Sequence, residues 1–438
     1  MKIEFDVVVI GAGPSGLSAA YVLAKKGLKV AVIEKGEYPG SKSVMGGVLY
    51  MNPLKELIPN VVQLLKESKA VERNVIEQNM WLVNENSVLK IGHRNQKWKE
   101  KPNAFTVLRA NFDRWFAKQV EAAGALVIPK TKVEDFIKNG DGKIVGVKTT
   151  RPEGDVYCKA VVVSEGVNPL LTMKAGLRKK DIGAKDVAIA VKEIVDVPEA
   201  VVNNLFKVEG DFGATIEILG SWSEGMVGIG FLYANRDSIS IGCGVLIEDL
   251  RRKKVKPYEL LENMKNHPAI ADLLGDYRNT TKEYLAHLIP EGGYYAMPKV
   301  YGDRILVCGD AAMLVNSVHR EGSNHAITSG RLAGETLLEA FEKGDFSEKT
   351  LKSYYDRLND SFIIKDLYKY KDLTGTIEKN RHFIEIYPDM LNNAATKFLD
   401  VDGTPKGEEQ LEILKMIREN RSLGGLTLDA LKLWNSVR

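Results

Sequence analysis

Cysteine is scarce: the 438 residues hold three, Cys158, Cys243 and Cys308, widely separated along the chain. That excludes a disulfide framework, a zinc ribbon and a four-cysteine cluster, and it suits a reducing compartment. An iron–sulfur centre carried by this chain is therefore not expected. An excess of charge of one sign is also missing. The 61 Lys and Arg stand against 58 Asp and Glu, a net charge of +3, which gives no broad basic footprint for nucleic acid. No apolar run approaches the roughly 18 to 20 residues that span a bilayer. The chain enters a structured motif near Phe5, so neither a signal peptide nor a transmembrane helix is expected, and a cytoplasmic location is. What is present is a soluble globular composition, 44% hydrophobic and 27% charged, long enough for two or three domains of roughly 150 residues.

Phe5-Asp6-Val7-Val8-Val9-Ile10 reads as a strand buried on both faces. Gly11-Ala12-Gly13-Pro14-Ser15-Gly16 follows, with Pro14 suited to the first turn of a helix. Leu17, Ala20, Tyr21 and Ala24 then recur on one helix face, Gly27 ends the helix, and Val30 to Ile33 forms a second buried strand ending at Glu34. A further helix is expected through Phe112, Trp115, Phe116 and Val120, with a strand from Ala125 to Ile128. An antiparallel meander is expected from Val133 to Ser164, and a separate β-rich region from Ala184 to Ile247. Ile305 to Cys308 returns to the parallel-strand pattern, and a long helix runs from about Ser323 to Ala340. The fold class is therefore α/β: a discontinuous nucleotide-binding domain over 1–180 and 296–345, a β-rich substrate domain over 181–295, and a helical region over 346–438.

The G-x-G-x-x-G of Gly11, Gly13 and Gly16 is informative because a strand precedes it, a helix opens on it, and an acid, Glu34, follows at close to the expected distance. Gly11 permits the tight turn, Gly13 lets a diphosphate approach the backbone, and Gly16 lets helix pack on strand. The helix start, with Pro14 and Ser15, offers unpaired N–H groups and partial positive charge. Glu34 can accept both hydroxyls of an adenosine ribose and would repel the extra phosphate of NADP; Lys35 adjoins it. Arg109 lies just before a helix, where it could reach the cofactor's phosphates or ribose. Gly166 ends the strand Val161 to Val163, and Gly309-Asp310 follows another.

These four segments resemble the cofactor-contacting motifs of the glutathione-reductase superfamily, in the order found in its p-hydroxybenzoate-hydroxylase branch. The resemblance implies a Rossmann-like FAD domain in which Asp310 bonds the ribityl chain. A second G-x-G-x-x-G is missing, which argues against a built-in NAD(P)H domain. So is any C-x-x-C pair, which argues against a disulfide reductase.

Gly40 to Tyr50, including Lys42, Met45 and Gly46, is similar to the flavin-contacting loop of FixC-like flavoproteins and of electron-transfer-flavoprotein:quinone oxidoreductase. Lys265 to Ile270 and Glu291 to Lys299 match two further segments of that family. The longer members end in a ferredoxin-like domain with four cysteines, and residues 400–438 contain none. The resemblance thus implies FAD as cofactor, an electron-transfer flavoprotein of α and β subunits and a separate ferredoxin-like iron–sulfur subunit as partners, a membrane quinone as acceptor, and peripheral attachment to the membrane. It also places Gly322, Ser323 and Asn324, at the start of the long helix, against the pyrimidine side of the flavin, where reduction deposits negative charge. The flavin carries the chemistry, so no catalytic side chain is assigned.

Three other readings stay open. Prenyl reductases of the geranylgeranyl-reductase type share the fold but carry a cysteine where Met45 stands and Y/F-x-W-x-F-P where Phe231-Leu232-Tyr233-Ala234-Asn235 stands. An aromatic hydroxylase would use NAD(P)H. A flavin-holding scaffold would not turn over. His319 and His325 lack ligand spacing, so no metal site is expected. His267, before Pro268, reads as a turn cap, and the cluster Arg251 to Lys254 with Lys256 as a solvated loop.

Overall fold

The computed structural model describes residues 3–42 and 47–438. Met45 and Gly46, two of the expected cofactor contacts, lie outside the described residues. The chain divides into two compact units: Met1–Glu72, Asn103–Val187 and Leu288–Tyr368 form the first, and Arg73–Pro102, Ala188–His287 and Lys369–Arg438 the second.

In the first unit, strand β1 (Ile3–Ile10) lies in a sheet between β2 (Val30–Ile33) and Val156–Val163, parallel to both. Leu126–Ile128 extends the sheet beside β2, and Ile305–Val307 extends it on the other side. Val7, Val8 and Val9 are fully buried, as the unbroken apolar run requires of a strand covered on both faces. Val133–Lys138 and Ile144–Thr149 form the expected antiparallel meander, whose last member, Val156–Val163, joins the parallel sheet.

Helix α1 (Pro14–Ala24) follows β1, and the late helix Ser323–Lys343 packs across it. Two glycines make the approach close. A Cβ on Gly330 would stand 1.9 Å from the carbonyl oxygen of Ser15, and one on Gly334 would stand 2.9 Å from the Cβ of Val22. The crossing thus brings the late helix against the first turn of α1. The late helix ends at Gly344, whose left-handed φ of 63° lets its N–H reach the Ala340 carbonyl.

The second unit is built on an antiparallel run of Val187–Asp196, Ser238–Leu246, Gly228–Ala234 and Phe212–Gly220, with Asn74–Val83 added parallel to the last. The order of strand and helix patterns suggests a first domain over 1–180 and 296–345. The chain instead leaves it at Arg73, because Asn74–Val83 pairs along its whole length with Phe212–Gly220. Arg73 is buried, and its guanidinium donates to the carbonyls of Asn235 (2.5 Å), Gly210 (3.0 Å), Phe212 (3.1 Å) and Arg236 (2.8 Å) and to Asn203 Oδ1 (2.6 Å). Such saturation is what a buried cation requires.

The C-terminal helices belong to this unit rather than forming a third body. Arg381 forks onto Asp249 at 2.5 Å through both terminal nitrogens. Asp429 takes a fork from Arg421 (2.7 Å twice) and a bond from the Tyr387 hydroxyl (2.9 Å). Arg421 holds the Asp429 carboxyl well below the usual carboxylate range. No helix among the described residues is long and apolar enough to cross a membrane.

Candidate functional site

The turn between β1 and α1 is closed by backbone at two glycines and open at the third. A Cβ on Gly11 (φ 100°) would meet the Ser164 carbonyl oxygen at 2.3 Å, and one on Gly16 would meet the Gly11 carbonyl oxygen at 2.0 Å. Gly11 N–H donates to the Ile33 carbonyl at 2.8 Å, and the Ser164 hydroxyl donates to the Ile10 carbonyl at 2.7 Å. Over Gly13, by contrast, an added Cβ meets none of the described residues within 4 Å. Gly13 precedes α1 in an extended conformation (φ −82°, ψ 176°), and no side chain caps the helix. The result is a tight turn with clear space over Gly13 and an uncapped helix start, the shape and polarity that suit a diphosphate.

Glu34, at the end of β2, accepts from Ala12 N–H at 2.8 Å and Gly36 N–H at 2.5 Å. One carboxylate therefore fixes the glycine turn and the following loop, and each oxygen keeps a lone pair for a hydroxyl donor. Lys35 and Lys42 are exposed. Gly166 takes a φ of 83° with open space around its Cβ position. The adjacent Glu165 accepts from Leu171 N–H (2.8 Å) and Thr172 N–H (2.7 Å), tying down the short helix that follows.

Arg109 is where the expectation needs refinement. Its Nε and Nη2 fork onto Asp113 at 2.8 and 2.7 Å, one helical turn away, so these donors orient the side chain rather than reach for phosphate. Burial pushes the Asp113 carboxyl up, with Arg109 pulling against it. Burial likewise raises Asp310, and Arg109 again opposes the shift. Arg109 thus pairs directly with the buried Asp113 and stands near enough to the half-buried Asp310 to oppose its rise. The Arg-x-x-x-Asp spacing was legible in the sequence, and Asp113 is the residue that motif reading passed over.

Gly309 (φ 64°) starts the turn that carries Asp310, and its N–H donates to Ser329 Oγ of the late helix at 3.1 Å. Its position is pressed against Ser15 of α1. The starts of α1 and of the late helix, and the Gly309-Asp310 turn, are therefore held together in one unit. The late helix opens at Gly322, where no side chain caps it, and Asn324 is buried. Before it, Asn316 and Glu321 exchange backbone hydrogen bonds at 3.2 and 3.0 Å, which closes the loop between them. Glu291 faces Ser317 of that loop, and burial pushes its carboxyl up to about 7.

Comparison with known proteins adds a second kind of observation. A model of the ETF-QO/FixC family C-terminal domain matches residues 373–438, and a Thi4 family model matches residues 2–88. Protein FixC of Azorhizobium caulinodans is 43% identical over 99% of both chains. Protein FixC of Azotobacter vinelandii is 43% identical over the whole of both, and that of Escherichia coli K12 is 34% identical over 97% of this chain and 96% of its own. Among solved structures, a geranylgeranyl bacteriochlorophyll reductase-like protein from Thermoplasma acidophilum superposes with a TM-score of 0.73 at 22% identity, covering 98% of this chain and all of that one. The flavin-dependent brominase Bmp2 superposes at 0.67 and 18% identity, covering 95% of this chain and all of its own.

Two outcomes are expected. At Gly13 an added Cβ meets none of the described residues within 4 Å and φ is −82°, so Gly13→Val should fold, its stability in denaturant falling by no more than the roughly 0.5–2 kcal/mol that a poor N-cap residue costs. The side chain fills the space over the turn, so dinucleotide affinity should fall roughly tenfold or more, the equivalent of about 1.4 kcal/mol or more; unchanged cofactor content in the purified variant would contradict the assignment. For Glu291, a folded pKa near 7 lies above the ordinary 4.5. The folded state then holds the proton more tightly than the unfolded state, and stability falls as pH rises from about 4.5 through 7. Glu291→Gln should remove that loss, at most about 3 kcal/mol, so the stability curves of the two proteins converge at acid pH and separate above neutrality. Parallel curves would show that the carboxyl is not buried as described.

Proposed function

Because the chain belongs to the FixC family, we propose that it is an FAD-dependent oxidoreductase of an electron-transfer chain. In this reading it receives electrons from an electron-transfer flavoprotein of α and β subunits, through a separate ferredoxin-like iron–sulfur subunit, and delivers them to a membrane quinone at the surface of the bilayer. The observation that carries the cofactor assignment is the contrast among the three glycines. Gly11 and Gly16 are sealed against backbone, and Gly13 is bare.

FAD bound here supplies the redox chemistry; the chain's own residues bind and orient it. The start of α1 presents N–H groups to the diphosphate, and Glu34 accepts from the adenosine ribose. Asp310, steadied by Arg109, meets the ribityl chain. The uncapped start of the late helix, at Gly322 and Ser323, puts its partial positive charge where reduction places negative charge. The three cysteines are buried singly and their thiols are pushed up to about 12 by burial. Inert thiols of this kind support placing any iron–sulfur carrier on another subunit.

The fold likeness to a geranylgeranyl reductase-like protein favours prenyl reduction as a second reading. The segment Phe231 to Asn235 weighs against it. Phe231 and Tyr233 are buried and stacked at 4.7 Å, and Asn235 is buried on Ser240 at 2.9 Å, so this stretch is core strand rather than the cover of a substrate cavity.

The experiment is anaerobic mixing of the purified protein with the reduced partner flavoprotein and iron–sulfur subunit and a soluble quinone analogue. Quinol formation that depends on all components is expected. A protein that the partners cannot reduce would contradict the reading, and a saturated prenol formed from a geranylgeranyl substrate would favour the second one.

A further inference from the structure

Three groups that the cofactor assignment leaves unused converge in the first unit. Glu321 stands two residues before the late helix, His325 is in that helix's first turn, and Asp366 comes from the helix Phe362–Lys369. One ligating atom from each lies within 4.8 Å of the others. His325 is fully buried, and among the described residues neither of its ring nitrogens has a hydrogen-bond partner. A buried imidazole left in that condition costs stability unless something else satisfies it. Phe362 meets the ring edge-on, with centroids 5.3 Å apart, so apolar packing closes one side.

The spacing points to what does satisfy it. His325 Nε2 and Glu321 Oε2 are 3.5 Å apart, long for a charge-assisted hydrogen bond. It is close to the edge of a tetrahedron, about 3.4 Å, whose corners each lie about 2.1 Å from a central ion. Asp366 makes no ion pair with a Lys or Arg among the described residues, so its carboxylate is available as a third ligand. One imidazole nitrogen with two carboxylate oxygens is a borderline donor set; calcium and magnesium take all-oxygen shells and more ligands.

We propose that Glu321, His325 and Asp366 bind one divalent cation of the zinc class, with the remaining coordination position left to water. The ion clamps the start of the late helix to the helix Phe362–Lys369. Two carboxylates and a neutral imidazole balance its charge, so no other ion is needed. Histidine spacing alone predicts no metal here, because Glu-x-x-x-His supplies only two ligands and the third comes from another helix.

The test uses the full-length protein as purified, dialysed against EDTA and titrated calorimetrically with Zn²⁺, beside Glu321→Gln and Asp366→Asn. One equivalent is expected in wild type, with affinity at least about tenfold weaker in each variant. Zn²⁺ should raise the melting temperature of wild type more than that of either variant at the same concentration. Co²⁺ in its place should give visible d–d bands to the red of any flavin absorbance. Should a variant fail to fold, wild-type stoichiometry and the Co²⁺ spectrum still decide. Absence of Zn²⁺ and Co²⁺ uptake by wild type, or equal uptake by wild type and both variants, overturns the proposal.

Discussion

The proposed function depends on the first turn of α1, which opens at Gly13 with no side-chain cap among the described residues and so leaves its leading N–H groups for a ligand. That constraint organises the first unit. The turn is drawn tight by Gly11 against the Ser164 carbonyl and by Gly16 against Gly11 itself, and Glu34 locks it from the side through Ala12. The glycines of the late helix exist for the same purpose. By letting that helix ride on the Ser15 carbonyl, they bring a second uncapped helix start toward the first. Neither helix start has a side-chain cap among the described residues, and the sheet beneath, with Val7, Val8 and Val9 fully buried, supplies the rigidity to hold them there.

The second unit solves a different problem by similar means. Its sheet and C-terminal helices are joined by charged groups that burial would penalise if any lost its partner: Arg73 on four carbonyls and an amide oxygen, Asp249 under the Arg381 fork, Asp429 under Arg421 and Tyr387. Breaking one member strands the rest, so such networks hold a conformation more sharply than apolar packing alone. His267, expected as a turn cap, caps the helix Pro268–Leu274 by accepting from Ala269 N–H at 3.3 Å and anchors its other nitrogen on the Asn84 carbonyl at 2.5 Å.

Local patterns in the sequence carry much of this. The β1, α1 and β2 elements, the meander and the late helix follow from apolar period and from Gly and Pro placement, because each is decided within a dozen residues. The assignment of residues 73–102 to the second unit was not legible, since strand pairing between Asn74–Val83 and Phe212–Gly220 is a long-range choice that period cannot express. The site divides the same way. Gly11, Gly13, Gly16 and Glu34 announce themselves by spacing, whereas the sharing of Arg109 between Asp113 and Asp310 and the meeting of His325 with Asp366 depend on elements far apart in the chain. Lys42, expected in the flavin-contacting loop, is exposed.

The central claim is that one dinucleotide spans the start of α1 and the start of the late helix. The direct measurement is the identity and amount of cofactor released on denaturing the purified protein, read by chromatography and absorbance. One equivalent of intact FAD per chain is the predicted result. A nicotinamide dinucleotide, FMN, or a colourless protein that takes up no flavin when offered it would contradict the account.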